Sequence, residues 1–234
     1  MKITFVGNSV SIRVRPLQKN SSAFPFIVEK ALSDKHTFSF DLLGGQMIDK
    51  YVSNPDYLFR QNADLIILNF GIVELSSRSV SRRFYDYLNY YTPKNKRKRS
   101  LQRIFKFLEN RFRKSLVLLR GKNSWYNKEL FLKDYLKLII EVENKSHSKI
   151  IVLGINNPNE RIENQLPGTK ERVEYVNRTL KSKLNEQSIY FVDVNTLTNP
   201  KDRPDGIHYN SNGHITISNE IFKLIEKFSD FQND

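Results

Sequence analysis

Five short segments of the chain carry the hydrophobic pattern of β-strands. Residues 2–6 (KITFV), 63–71 (ADLIILNFG) and 148–155 (SKIIVLGI) are apolar runs, which is typical of strands buried on both faces of a sheet. Residues 37–43 (TFSFDLL) alternate apolar and polar positions, and residues 188–194 (SIYFVDV) repeat the apolar pattern. The pattern therefore predicts five strands spread along the whole chain.

Helical periodicity appears between these segments. Residues 22–34, 128–145, 169–186 and 213–228 place apolar side chains about 3.6 positions apart. Strands that alternate with helices favour right-handed βαβ units and a parallel sheet covered on both faces. We therefore predict an α/β fold in one domain over residues 1–234, a three-layer αβα sandwich with a five-stranded, flavodoxin-like parallel sheet in the order 2-1-3-4-5.

Polar and small residues follow the predicted strands. In a parallel α/β sheet the carboxyl ends of the strands meet at one edge, where ligands bind. The residues expected at that edge are Ser9, Gly44, Gly45, Asn69, Phe70, Gly71, Asn156 and Asn157. The loop at residues 203–214 (RPDGIHYNSNGH) follows the fifth strand and can reach the same edge.

Ser9, Asp205 and His208 form a candidate catalytic set. A serine hydroxyl becomes a strong nucleophile when an imidazole accepts its proton, and a carboxylate can orient that imidazole. Asp205 precedes His208 by three residues, and Gly206 between them permits a tight loop. Each residue also has a simpler interpretation: Ser9 as a helix cap, with Ser11 competing for either role, Asp205 as a turn residue and His208 as a surface histidine.

The chain resembles the SGNH, or GDSL-like, hydrolases in four short blocks. Residues 7–9 (GNS) match the family's Gly-Asp-Ser after the first strand, and Gly45 matches its glycine after the second. Residues 71–74 (GIVE) stand where the family has Gly-x-Asn-Asp, and residues 205–208 (DGIH) match its closing Asp-x-x-His. The resemblance implies that Ser9 is the nucleophile, His208 its base and Asp205 the partner of the base. It also implies that the backbone N–H groups of Ser9 and Gly45 form an oxyanion hole.

Two residues depart from the family pattern. Asn8 replaces the aspartate before the nucleophile, and Val73 replaces the asparagine that donates to the oxyanion. Valine has no donor, and loss of one such donor costs an enzyme about 10²–10³ in turnover. We assign oxyanion or substrate contacts to Gly45, Gly71, Asn69, Arg78 and Asn156, with Arg78 as the foremost substitute because a cation can hold an oxyanion or an anionic substrate group.

The net charge of +13 is concentrated in one segment. Residues 78–122 contain 15 Lys/Arg and 2 Asp/Glu, which leaves 23 basic and 23 acidic residues elsewhere. This segment lies within a basic helical insertion, residues 76–125, between the third and fourth strands, and residues 100–122 have the pattern of an amphipathic helix. Three interpretations stay open: a packed helical subdomain, a helix on an anionic membrane surface, or a lid that binds an anionic substrate or nucleic acid.

Several classes of protein are disfavoured. The chain has no cysteine, so it offers no disulfide and no thiolate metal site, and no His/Asp/Glu spacing suggests a metal. The segment LLGGQ lacks the spacing of a nucleotide-binding fingerprint, and the balanced charge outside the insertion argues against a nucleic-acid partner. No apolar run reaches 18 residues, and the first apolar run is too short for a secretory leader. We expect a cytoplasmic protein, peripheral at the inner membrane face if the insertion binds lipid, that needs no cofactor.

These observations favour a serine ester hydrolase that works through an acyl-enzyme. The expected substrate is a polar acylated small molecule or glycan, such as an O-acetylated sugar or glycan precursor. An O-acyltransferase would use the same three residues, and a non-catalytic protein on this fold would bind a glycan or a lipid head group. We expect His214, at the start of the last helix, to be structural.

Overall fold

The structure is a computed structural model that describes residues 1–60, 62–89, 96–146, 148–184 and 189–230. Its centre is a five-stranded parallel sheet in the order β2-β1-β3-β4-β5. The strands are β1 (Lys2–Gly7), β2 (Thr37–Leu42), β3 (Leu65–Asn69), β4 (Lys149–Leu153) and β5 (Ile189–Val192). The predicted α/β class and strand order are confirmed. Four strands lie within their predicted segments, and β1 extends one residue further, to Gly7.

Helices cover the sheet. They are α1 (Phe24–Leu32), α2 (Asp49–Ser53), α3 (Asp56–Phe59), α4 (Ile72–Leu75), α5 (Arg82–Asn89), α6 (Lys96–Leu119), α7 (Lys128–Ser146), α8 (Glu160–Gln165), α9 (Thr169–Lys183), α10 (Val194–Leu197) and α11 (Ser211–Asp230). Helix α1 packs against α11, whereas α7 packs against α2, α3 and α9. The four helices predicted from periodicity are present with small shifts at their ends. Predicted positions 185–188, at the end of one helix and the start of the last strand, lie outside the described residues.

The core explains why the central strands are so apolar. Every residue of β3 is buried, and Ile66, Leu68, Ile150 and Ile151 are 0–1% exposed. A parallel strand with helices on both faces has no solvent side, so its side chains must be apolar in both directions. Burial on both faces fixes the strand ends, and these ends carry the polar residues of the candidate site.

The insertion between β3 and α7 is helical. It contains α5 and α6, and the isolated bridge between Ser77 and Ser124 joins its two ends. Helix α6 begins four residues before the predicted position and departs from helical geometry at Phe112 (φ −125°, ψ 22°). Residues 90–95 of the insertion, which include Tyr90 and Tyr91, lie outside the described residues. Within the described part of the chain, no helix combines the length and apolar character needed to cross a membrane.

Candidate active site

Ser9 follows β1 directly, in a single 3₁₀ turn over Ser9–Ser11. Asn8, which precedes this turn, caps it: its side-chain oxygen accepts a hydrogen bond from the N–H of Val10 at 3.0 Å. The cap position is therefore taken by Asn8, and the hydroxyl of Ser9 is left for other contacts. Ser11 is buried, and no described residue lies within hydrogen-bond distance of its hydroxyl.

Ser9, His208 and Asp205 are in hydrogen-bond contact in that order. The Ser9 hydroxyl donates to His208 Nε2 at 3.0 Å. His208 Nδ1–H donates to Asp205 Oδ2 at 2.8 Å. Ser9 and His208 are separated by 199 positions in the chain, so the contact exists only because the fold brings the first and last loops of the sheet edge together. The arrangement matches a nucleophile, a base and an orienting carboxylate.

Asp205 is held as a carboxylate. Burial acts to raise its pKa, but the hydrogen bonds from the ring and backbone of His208, from Arg15 and from Ile207 outweigh burial and lower the pKa below its ordinary value. Arg15 Nε donates to Oδ2 at 2.8 Å, and the N–H groups of Ile207 and His208 donate to Oδ1 at 3.0 and 2.8 Å. The charged form suits a residue that must stabilise an imidazolium.

The loop that carries Asp205 and His208 is fixed by contacts to its backbone carbonyls. Gly206 has φ +89°, and a Cβ there would lie 2.4 Å from Asn159 Oδ1, so only glycine fits this turn. Asn156 Nδ2 donates to the carbonyl of Ile207 at 2.6 Å, and Arg161 Nη2 donates to the carbonyl of Asp205 at 2.8 Å. Asn156 therefore positions the loop of His208, and it is not among the residues that line the cavity at Ser9.

His214 joins the end of this loop to the segment after Ser9. Its Nδ1 accepts from the N–H of Phe24 at 3.2 Å, and its Nε2–H donates to the carbonyl of Arg13 at 3.1 Å. Burial lowers its pKa to about 4. The ring is thus neutral and fully used in structural contacts, as expected from the sequence.

A cavity of about 330 Å³ opens beside Ser9. Its lining includes Ser9 and His208, together with Gly44, Gly45, Val73, Arg78 and Trp125. Among the described residues, no acceptor pairs with the backbone N–H of Ser9 or of Gly45. Both N–H groups are consequently available as donors, as the sequence resemblance implied.

Besides Arg82, which pairs with Asp49 and Asp86, two arginines from distant parts of the chain line the same cavity. A Cβ placed on Gly44 would lie 3.3 Å from Arg13 Nη2 and 4.0 Å from Ser9 Cβ, so the Arg13 guanidinium lies near Ser9. Arg78 Nη2 donates to the carbonyl of Val73 at 2.6 Å, and its guanidinium lies 4.0 Å from the centre of the Trp125 ring. In the part of the chain that the structure describes, neither arginine has a carboxylate partner.

The environment of Arg78 is enclosed. Its Nε is buried and has no hydrogen-bond partner among the described residues. Burial lowers its pKa to about 10, so the side chain is still a cation at neutral pH. The Arg78 side chain is partly buried, and its buried Nε–H is an uncommon feature, because a buried donor without an acceptor costs free energy.

Asn69 and Gly71, at the end of the third strand, were predicted to contact the oxyanion or substrate, but they do not line the cavity. Gly71 has φ +118°, and its N–H donates to Glu74 Oε2 at 3.0 Å. Glu74 also accepts from the N–H of Ile48 at 2.9 Å; burial raises its pKa to about 7, against the effect of these hydrogen bonds. Neither Gly71 nor the buried Asn69 is among the residues that line the cavity. Val73 does line it, so an apolar side chain stands at the position of the family's oxyanion asparagine.

Sequence reasoning missed Arg13, which lines the cavity, and three further residues of this site. Arg15 and Arg161 hold Asp205, and Trp125 packs on Arg78. Arg15 lies six positions after Ser9, in a segment with no regular pattern, so only the fold reveals its contact. The described part of the chain contains no group of three or more side chains that could hold a metal ion.

Comparison with known structures supports the fold. The esterase EstA from Pseudoalteromonas sp. is 11% identical with a TM-score of 0.57, and the alignment covers 98% of this chain and 98% of that chain. The acetylxylan esterase Axe2 from Geobacillus stearothermophilus is 16% identical with a TM-score of 0.57, over 95% of this chain and 92% of that chain. A GDSL-like lipase from Bacteroides thetaiotaomicron is 13% identical with a TM-score of 0.58, and the alignment covers 97% of this chain and 88% of that chain.

No protein-family model matches this sequence, and no curated protein matches it. At identities of 11–16% the structural likeness establishes the fold alone. The resemblance to SGNH/GDSL-like hydrolases is thus confirmed at the level of the fold, and the chemistry has to be argued from the residues at the edge of the sheet.

Proposed function

We propose that this protein is a serine ester hydrolase with Ser9 as nucleophile, His208 as general base and Asp205 as the carboxylate that orients His208. The observation that carries the proposal is the unbroken chain of contacts from Ser9 Oγ to His208 Nε2 (3.0 Å) and from His208 Nδ1 to Asp205 (2.8 Å). These contacts lie at the mouth of a cavity large enough for a small acyl group and part of its alcohol.

The reaction has two stages. Ser9 Oγ attacks the acyl carbonyl while its proton passes to His208 Nε2, and the tetrahedral intermediate breaks when His208 returns that proton to the leaving alcohol. Water then attacks the acyl-serine, with His208 again as base, and releases the acid and free Ser9. Asp205 stays ionised throughout and stabilises the imidazolium, in agreement with its lowered pKa.

The developing oxyanion would be held by the N–H groups of Ser9 and Gly45. Each lacks an acceptor among the described residues, and preorganised backbone donors are effective because they need no reorganisation during the reaction. Val73 supplies no third donor. The proposed enzyme therefore works with two donors, and we expect its turnover of simple esters to be slow relative to an enzyme with three.

The favoured substrate is an acylated sugar that carries a negative charge. Arg13 and Arg78 flank the cavity without carboxylate partners, and charged hydrogen bonds from arginine suit carboxylates and phosphates. The rings of Tyr85 and Trp125, whose centres are 4.7 Å apart, line the same cavity and offer a surface for a sugar ring. Structural neighbours described as acetylxylan esterases make acetyl the first acyl group to test.

The nucleophile is tested by hydrolysis of 4-nitrophenyl acetate with parent protein, Ser9→Ala and Ser11→Ala. Ser11 is the matched control because it lies two residues away, is equally small and is buried without a hydrogen-bond partner. We expect Ser9→Ala to lose at least about 10³-fold in kcat/KM and Ser11→Ala to keep its activity. Equal turnover by parent and Ser9→Ala, or no turnover of any ester by folded parent, rejects the hydrolase and leaves a binding protein.

The substrate charge is tested with a pair of acetylated methyl glycosides, one with and one without a carboxylate. Arg13→Gln should lower kcat/KM about tenfold for the anionic glycoside and leave the neutral one unchanged, because a charged hydrogen bond contributes about 1.5–3 kcal/mol. Arg178→Gln, an exposed arginine on α9, is the control. Equal loss on both glycosides contradicts an anion-binding role.

Free acetate as the product, with no acyl group transferred to an added sugar, distinguishes the hydrolase from an acyltransferase.

A further inference from the structure

Helix α6 is poorly accommodated by the rest of the protein. It has 24 residues, and among its described side chains only Val117 is buried. A helix of this length on a globular core normally buries one full apolar stripe. Val117 packs with Ile162 and Leu166 in a small cluster separate from the main core. Burial of apolar surface therefore accounts for little of the position of α6.

Polar contacts hold one side of α6 to the body. Glu109 accepts a hydrogen bond from the Ser79 hydroxyl at 2.7 Å, and Lys114 Nζ donates to Asn164 Oδ1 at 2.7 Å. Arg120, just after the helix, donates to the carbonyl of Val80 at 2.6 Å. These contacts fix which side of α6 faces the protein, and they leave the opposite side to solvent.

The solvent side of α6 is apolar. Seven large hydrophobic side chains on the helix are exposed: Leu101 (42%), Ile104 (57%), Phe107 (68%), Leu108 (40%), Phe112 (49%), Leu118 (46%) and Leu119 (85%). Positions 101, 104, 108 and 112 follow helical spacing and form a continuous stripe. A contiguous exposed apolar surface of this kind marks an interaction site. We call these seven residues the apolar stripe.

The stripe is bordered by positive charge. Helix α6 itself contains nine Lys/Arg and one Glu, and residues 78–122 contain 15 Lys/Arg and 2 Asp/Glu. The exposed cations Arg103, Lys106 and Arg111 have no acidic partner among the described residues. Any occupant of the stripe has to tolerate this charge, and an anionic occupant would gain from it.

We infer that α6 docks the protein on the surface of a bilayer that contains anionic lipid. The apolar stripe would enter the headgroup region, and the flanking arginines and lysines would contact lipid phosphates, as in interfacial amphipathic helices with aromatic and aliphatic side chains on one face and cations on the other. A second copy of this chain is disfavoured as the occupant, because two strongly basic helices would repel each other.

Docking would place the proposed active site close to the membrane. Helix α5 contacts α6 through Phe84 and Phe105, whose ring centres are 5.5 Å apart. The same helix α5 contributes Arg82, Tyr85 and Asp86 to the lining of the cavity at Ser9, and Leu166, which packs on Val117, lines it too. Helix α5 therefore lies between the apolar stripe and the cavity, so an acyl ester in the membrane would be close to both.

Vesicle sedimentation of the full chain tests the inference and does not depend on catalysis. Vesicles of phosphatidylcholine with phosphatidylglycerol should pellet the protein, vesicles of phosphatidylcholine alone should pellet far less, and added salt should release it. The double variant Ile104→Ser/Phe107→Ser should weaken partitioning about tenfold or more. Leu17→Ser is the matched control, since Leu17 is 81% exposed outside the insertion.

The charge contribution is tested separately. The triple variant Arg103→Gln/Lys106→Gln/Arg111→Gln should weaken binding to anionic vesicles by more than about tenfold, whereas Lys30→Gln/Lys133→Gln/Lys137→Gln, which removes as many exposed cations elsewhere, should bind like the parent. Thermal unfolding of each variant checks the fold.

Three results would overturn the inference. One is sedimentation that ignores lipid charge and salt. Another is equal binding by the stripe variant and by Leu17→Ser. The third is a dimer, seen by light scattering, that Ile104→Ser/Phe107→Ser dissolves while the parent binds no vesicle; this result would assign the stripe to a second copy of the chain.

Discussion

The carboxyl edge of the sheet and the insertion differ in how their side chains are packed. At the edge, Ser9 and His208 are held by a loop whose carbonyls, carboxylate and imidazole each have defined partners. In the insertion, α6 leaves most of its apolar side chains and cations in solvent. In this protein polar residues form a rigid site, and apolar residues form an exposed surface. Burial and partners, and not residue type, separate the two.

The charge distribution follows the same division. The excess of basic residues belongs to residues 78–122, whereas the proposed catalytic residues Ser9, Asp205 and His208 lie at the edge of the sheet. Arg78 and Arg82 link the two regions, because both belong to the basic segment and both line the cavity. The edge and the insertion should therefore respond independently to most substitutions.

The largest expected effect comes from Asp205→Asn. An amide cannot stabilise the imidazolium of His208, so we expect kcat/KM for 4-nitrophenyl acetate to fall by about 10³–10⁴. Vesicle binding by α6 should not change. Asp202→Asn, in the same loop region but bonded to the backbone of Asn199, is the control. A small loss with Asp205→Asn, or a loss shared by both variants, would break the assignment of the edge as the catalytic region.

The next largest effect is expected from Val73→Asn, which would add a side-chain hydrogen-bond donor to the proposed oxyanion hole. Val73→Asn would place an amide where the cavity now has an apolar side chain, and we expect kcat to rise by up to about 10². Val73→Leu should show no gain, which separates a hydrogen bond from a change in shape. An unchanged kcat in a folded Val73→Asn protein would show that two backbone donors already complete the oxyanion hole.

A smaller effect is expected on stability below neutral pH. The folded pKa of His214 is lowered by burial from 6.5 to about 4, so the unfolded chain binds the proton more readily in this range. The contribution of His214 to the free energy of unfolding is therefore full above pH 6.5 and decreases as the pH falls towards 4, by about 3 kcal/mol in total. Urea unfolding of parent and His214→Gln at several pH values measures the effect.

His36 supplies the control for that experiment. The pKa of His36 is also lowered, mainly by burial. His36→Gln therefore measures how much of the change in unfolding free energy with pH comes from His36. Asp205 contributes in a lower range, because its lowered pKa adds stability that is lost only as the pH falls below the ordinary value for aspartate. A slope that persists unchanged in His214→Gln would show that the ring does not join the loop to Arg13 in solution.

The smallest effect is expected from the insertion on soluble substrates. The variant Arg103→Gln/Lys106→Gln/Arg111→Gln should hydrolyse 4-nitrophenyl acetate within about twofold of the parent, because exposed charges are screened by salt over about 10 Å. The same protein should lose vesicle binding. A large loss of hydrolysis would mean that the basic helix takes part in turnover and that the two regions are not independent.

Much of the fold could be predicted because burial leaves a clear mark on the sequence. The uninterrupted apolar run at residues 63–71 became β3, buried at every position, and the alternation of strands and helices gave the observed strand order. The helix boundaries were less certain. Helix α6 starts before the amphipathic pattern begins, because its first residues are exposed and carry no burial signal.

The candidate site was predictable only where residue spacing is local or follows a strand end. Asp205 and His208 are three residues apart, and Ser9 follows the first strand directly. The contacts of Arg15 and Arg161 depend on how loops fold over one another, which no pattern in the sequence records. Asn69 and Gly71 were assigned to the cavity from their strand-end positions, yet one is buried outside its lining and the other is bonded to Glu74.

Covalent labelling of the nucleophile tests the central claim most directly. A fluorophosphonate should add one phosphonyl group to the parent protein, and peptide mapping should place it on Ser9; Ser9→Ala should stay unlabelled, and Ser11→Ala should react like the parent. The His208→Ala variant should react at least about 10²-fold more slowly, because the Ser9 hydroxyl then has no base to accept its proton. A label on another residue, or equal labelling of Ser9→Ala and the parent, would contradict the account.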